Sequence, residues 1–152
     1  MSWKNDEEWQ NEIKGVNCPM CGDMQVERNR HSTLIKELPA SYVRLSLNQD
    51  YRGRILVILK RHAAELFELS PEELTAYWAD VANAARAVHD VVQPAKLFYG
   101  VFGSRCPHAH CNILPMYKED DPHAPITMGL TEHFLAEDEY DRLVTQIREH
   151  LV

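Results

Sequence analysis

The sequence predicts an α+β domain in which helices pack on an antiparallel sheet of about five strands. Two observations carry this. Apolar, β-branched segments fall in pairs joined by short polar turns, and between the pairs runs a long stretch whose apolar residues recur at three- and four-residue steps. At 152 residues the chain has the length of one domain, enough to bury about two thirds of its unfolded surface. No repeat, low-complexity stretch or linker divides it, so residues 1–152 read as a single domain.

In chain order, Ser2 to Lys14 mixes Trp3, Trp9 and Ile13 with charges at near-helical spacing and reads as a short amphipathic helix ended by Gly15. Ser41–Leu47 and Arg54–Lys60 flank the polar segment Asn48-Gln-Asp-Tyr-Arg-Gly53, as two antiparallel strands and their turn would. Ser70-Pro-Glu-Glu73 is a helix start, with Ser at the N-cap, Pro at the first helical position and Glu three residues after the cap. From there Leu74, Tyr77, Trp78, Val81, Ala85, Val88 and Val92 form one stripe for the core, and Pro94 stops the helix. Lys96–Phe102 and Pro107–Pro115 are strand-like around the tight turn Gly103-Ser-Arg-Cys106. Tyr117 to Gly129 holds Pro122 and Pro125 without periodicity and reads as a loop, and a last helix covers about 137–151.

Composition narrows the functional classes. Hydrophobic residues at 45% and charged residues at 26% fit an ordinary folded domain. The longest apolar run, Ile55–Leu59, is a strand's length, so no membrane partner is expected. The N-terminus lacks an apolar segment behind a basic start, and a cytoplasmic location is the expectation. In that compartment four cysteines stay reduced, which makes Cys18-Pro-Met-Cys21 a candidate metal clip or redox pair. A net charge of −7 repels nucleic-acid backbones, so no nucleic-acid partner is expected and any phosphate-bearing substrate must be held by local groups.

The chemistry concentrates in Cys106-Pro-His-Ala-His-Cys-Asn-Ile-Leu-Pro115. Side chains alternate along a strand, so His108, His110 and Asn112 share one face and Ala109, Cys111 and Ile113 the other. A solvated strand face is the bland account of three such groups. The apolar residues around them argue for an interior strand, in which imidazole and amide groups need partners.

This segment resembles the histidine-triad superfamily, whose pattern is His-x-His-x-His before two apolar residues, behind a turn containing Gly and a polar residue. Gly103-Ser104-Arg-Cys-Pro-His108-Ala-His110-Cys-Asn112-Ile-Leu-Pro115 matches at all but one key position. The early Cys-x-x-Cys, the strand pair ending in Lys60-Arg-His62, and Glu65-Leu-Phe-Glu-Leu-Ser70 before the long helix extend the likeness over a core of residues 16–122. The resemblance implies a histidine-triad-like fold and a nucleotide hydrolase or nucleotidyl transferase. His110 would attack the α-phosphate of a nucleotide, with a purine the expected base, and form a covalent nucleotidyl-histidine intermediate. Dinucleoside polyphosphates and nucleoside phosphoramidates are the implied substrates, and a homodimer the implied assembly.

The same resemblance assigns phosphate contacts to Gly103 and Ser104 and a ribose contact to Asn48 or Asp50, between which the short turn does not choose. It implies a structural Zn²⁺ held by Cys18, Cys21, His62 and His108. The departure is Asn112, where most members have a third histidine. Asn keeps an N–H donor and cannot act as a general acid. Related uridylyltransferases carry an amide there, which raises the weight of transfer over hydrolysis, and a nucleotide-binding protein with weak or no turnover is the alternative. Cys106 and Cys111 read as small buried hydrophobes, and His31, His89, His123, His133 and His150 as surface residues.

Overall fold

Five strands form one antiparallel sheet in a computed structural model that describes residues 2–152. The strands are β1 (Ser32–Glu37), β2 (Ser41–Ser46), β3 (Ile55–Leu59), β4 (Lys96–Gly100) and β5 (His110–Met116), in the order β1-β2-β3-β5-β4. The helices are α1 (Asp6–Ile13), the short α2 (Pro19–Asp23), α3 (Pro71–Val92) and α4 (Glu137–His150). The α+β expectation therefore holds, with the long helix inserted between β3 and β4.

One sheet face is the core. Val43, Leu45, Ile55, Val57, Cys111 and Ile113 are each fully buried and meet Tyr77, Val81 and Val88 of α3 and Ile147 of α4. Each such side chain contributes about 1.5–3 kcal/mol by leaving water. Two buried phenols fix the helices: Tyr77 donates to the Val57 carbonyl at 2.9 Å and Tyr140 of α4 to that of Leu45 at 2.8 Å. Ser70 caps α3 as expected, its hydroxyl accepting from the Glu73 amide while the Glu73 carboxylate accepts from the Ser70 amide. Trp78 departs from the expected stripe and is 37% exposed, because it follows Tyr77 by one residue, about 100° around the helix. Ala84 and Ala87 are buried in addition.

The opposite face carries the polar rows. Register places Tyr42, Ile58 and His110 side by side across β2, β3 and β5, then Arg44, Leu56 and Asn112 in the next row. Arg44 is fully buried and fastens the segment after α2 to this face. Its Nη1 donates to the carbonyls of Met24 and Val26, and Nε and Nη2 donate to Ser32. Helix α1 is shorter than the 2–14 expectation, being capped by the Asn5 side chain. Among the described residues no helix is long and apolar enough to cross a membrane.

Candidate metal centre and nucleophile site

Two histidines are held alike. His108 donates Nε2–H to the Leu59 carbonyl at 2.7 Å and His62 donates Nε2–H to the Ile13 carbonyl at 2.9 Å. Carbonyl oxygens only accept, so the tautomer that makes these bonds leaves Nδ1 of each ring, when neutral, as the ligand nitrogen. Both nitrogens face sulfur: His108 Nδ1 lies 3.5 Å from Cys18 Sγ and 3.4 Å from Cys21 Sγ, and His62 Nδ1 lies 3.5 Å from Cys21 Sγ. A zinc ion at about 2.3 Å from sulfur and about 2.05 Å from nitrogen would set tetrahedral S···N edges of about 3.6 Å. The four ligand atoms lie within 4.8 Å of one another, so Cys18, Cys21, His62 and His108 form a group able to hold a metal ion.

Local sequence explains the convergence. Pro19 starts α2 right after Cys18, and one helical turn brings Cys21 back beside it. Gly15 ends α1 at φ 84°, and a Cβ there would meet the His62 ring at 3.1 Å, so the close approach that seats His62 on Ile13 needs a glycine. The sequence suggests a plain hydrophobe at Cys106. It is buried as expected, but its Sγ lies 4.0 Å from Cys18 Sγ, and that contact holds the Cys18 thiol well below its ordinary range. The spacing of 88 residues gave no signal for it. Cys111 is the inert buried residue expected, and His31, His89, His123, His133 and His150 are all exposed.

His110 begins β5, three residues later than the strand expected from Pro107, and its Nδ1–H donates to the His108 carbonyl at 2.6 Å. Nε2 is thereby the lone-pair nitrogen, and among the described residues it has no hydrogen-bond partner. Burial pushes the imidazole below its usual pKa, with the His108 carbonyl opposing, which keeps the ring neutral at pH 7. The ring lines a cavity of about 400 Å³ whose wall is mostly apolar, with Leu66, Phe67, Val101 and Phe102 beside Gly103, His108 and His110.

The other expected site residues are distributed. Gly103 lines this cavity at φ 96°, whereas Ser104 is exposed and outside its wall. Asn112 is 1% exposed, on the same sheet face as His110, and is not part of this cavity's wall. Asn48 and Asp50 are engaged elsewhere. Asn48 donates to the Thr131 carbonyl and accepts from the His133 amide, while Asp50 accepts from the Gly129 amide at 2.6 Å and pairs with Arg54 at 2.8 Å. Both thus hold segment 127–133 against the β2–β3 turn. Sequence reasoning assigned nothing to Arg54, whose polar role shows only once strand register puts it beside Asn112.

A family model described as the HIT domain matches residues 27–119. A histidine triad protein of Bradyrhizobium japonicum superposes with a TM-score of 0.73 at 18% identity, covering 80% of this chain and 92% of that one. A hypothetical histidine triad nucleotide-binding protein of Sulfolobus tokodaii gives 0.69 at 21% identity, with 88% and 91% covered. A zinc-bound histidine triad family protein of Mycobacterium smegmatis gives 0.63 at 18% identity, with 90% and 94% covered. These likenesses show the fold. No curated protein sequence matches the chain.

Proposed function

The chain belongs to the HIT domain family, and from that premise we propose that it is a nucleotide hydrolase or nucleotidyl transferase that works through a covalent bond between His110 and the α-phosphate. The observation that supports this most is the fixed tautomer of His110. Nδ1–H is spent on a backbone carbonyl, and the bare Nε2 belongs to a ring at the wall of a cavity large enough for part of a nucleotide. A neutral, oriented imidazole is what attack on phosphorus needs at neutral pH. The apolar wall suits a purine base, and Gly103 with Ser104 supplies the turn nearest the phosphate. Asn112 donates through its amide and leaves protonation of the departing group to solvent, which favours leaving groups stable as anions, as in dinucleoside polyphosphates, over the amines of phosphoramidates. Asn48 and Asp50 can take the ribose only when segment 127–133 releases them.

The zinc reading fits the donor set. Cys18, Cys21, His62 and His108 use up a tetrahedral shell, which marks a closed structural site that ties the N-terminal segment to the start of β5 and leaves no position for substrate water. A homodimer fits the exposed outer strand β4, where Tyr99 is 51% exposed and Val101 and Phe102 continue the apolar edge. The whole is one domain, with residues 16–122 as its core and α4 closing it.

The test is incubation with a diadenosine polyphosphate and, separately, with an AMP phosphoramidate, following AMP release and the intact protein mass. Release of AMP with a nucleotidyl mass on His110 carries the proposal. Binding of nucleotide without bond cleavage would instead support the second reading, favoured by Asn112, of a nucleotide-binding protein with little or no turnover.

A further inference from the structure

On the sheet face that carries His110, three buried polar side-chain atoms stand without a hydrogen-bond partner among the described residues: Nε of Arg54 and both amide atoms of Asn112. Extending the β3–β5 register by one residue sets them diagonally on one face. Leu56 pairs with Asn112 across β3 and β5, and Arg54 lies two residues before Leu56, so its side chain emerges on the same face, diagonal to Asn112. The Arg54 side chain is 13% exposed and Asn112 is 1% exposed. The other arginine of this face, Arg44, bonds through all three guanidinium nitrogens. Among the described residues Arg54 uses only Nη1, on Asp50, and keeps Nε free. Buried polar groups are nearly always satisfied, so a free donor on a fixed cation next to an unsatisfied amide marks a place built for an anion.

We propose that Arg54 is the cation of the nucleotidyl-transfer site and that, with the Nδ2 amide of Asn112, it binds a non-bridging oxygen of the α-phosphate. This rests on the His110 reading above. In the first step the bond from His110 Nε2 to phosphorus forms as the bond from phosphorus to the bridging oxygen breaks, and the electron pair departs on the leaving phosphate. In the second, water bonds phosphorus, the P–N electron pair returns to Nε2, and the water's proton passes to solvent. Negative charge on the non-bridging oxygens persists through both steps, and two donors on the nucleophile's sheet face would answer it at each. A third triad histidine would supply a cation only when protonated, whereas a guanidinium is charged at every working pH. With a net charge of −7 on the chain and Asp50 beside Arg54, a polyanion settles here through local donors such as Nε and not through the global field. Asp50 accepts from Arg54 on one oxygen and from the Gly129 amide on the other, so Arg54 is joined through Asp50 to segment 127–133.

The experiment uses a diadenosine polyphosphate and its two α-phosphorothioate diastereomers, in which sulfur replaces one or the other non-bridging oxygen. Wild type should prefer one diastereomer. Arg54→Met should lower kcat for the oxygen substrate by about 100-fold with a smaller change in KM and erase most of the diastereomer preference, and Arg54→Lys should recover part of both. Three results overturn the proposal while leaving the His110 reading intact: no preference in wild type, wild-type kcat in Arg54→Met, or a lowered kcat with the preference unchanged, which would mark Arg54 as structural. Absence of both AMP and a histidine adduct in wild type would overturn the two together.

Discussion

Replacing Gly15 by alanine should destabilise this protein from a position far outside the cavity. Gly15 has φ 84°, and holding an L-residue in the left-handed region costs about 1–2 kcal/mol. The added Cβ would also sit 3.1 Å from Cγ and Cδ2 of His62, tighter than ordinary contact, and the ring cannot retreat freely because Nε2 is fixed on the Ile13 carbonyl at 2.9 Å. A shift of a few tenths of an ångström is then taken up on the Nδ1 side, at the 3.5 Å approach to Cys21. For a domain of this size each kcal/mol corresponds to about 2–4 °C, so the backbone cost alone lowers Tm by roughly 2–8 °C. Gly22 is the control. It lies within α2 with nothing inside 4 Å of its would-be Cβ, and alanine there should raise Tm slightly or leave it unchanged. Thermal denaturation of both variants, with zinc content measured on the same samples, decides the matter. A Gly15→Ala protein that melts with wild type, or a Gly22→Ala protein that falls as far, would refute the reasoning.

Other expectations are independent of it. His110→Ala should abolish release of nucleoside monophosphate at wild-type Tm, since among the described residues the side chain bonds only the His108 carbonyl; loss of fold in circular dichroism would count against that. Asn112→His should raise cleavage of an AMP phosphoramidate relative to a dinucleoside polyphosphate, because it restores a group able to give the amine a proton, and an unchanged ratio would remove Asn112 from the leaving-group argument. Cys18→Ser and His62→Ala should each reduce bound zinc below one per chain and lower Tm, whereas Cys111→Ser should keep the metal, as read by elemental analysis. Ser70→Ala removes the acceptor for the Glu73 amide and should cost about 1 kcal/mol in chemical denaturation with kcat unaffected.

Much of the fold was legible because its signals are local. The α3 start is a chemical signature over four residues, and β2 and β3 are apolar runs either side of a polar turn. Strand β1 was not identified as a segment for a physical reason: it is an edge strand whose register slips between Leu34 and Lys36, so its burial does not alternate. Helix α2 is a single turn, below the length at which periodicity can be seen. At the site, the residues named by the repeating pattern were found together where the pattern is local, at His108, His110 and Asn112, or where ligand chemistry ties distant segments, at Cys18, Cys21 and His62. Ser104, Asn48 and Asp50 were named by turn position alone, and turns of different length put their side chains to different uses. Arg54 and Cys106 were missed because only tertiary placement gives them partners, one through strand register and one through a contact across 88 residues.

His108 serves two masters with different atoms. Its ring belongs to the cysteine cluster, and its carbonyl oxygen determines which nitrogen of His110 bears hydrogen. The two histidines are therefore in series: an ion that turned the peptide at 108 would strain the bond that fixes the proton on its neighbour. Swapping the ion should consequently be audible in the ¹⁵N resonances of a residue that never touches it.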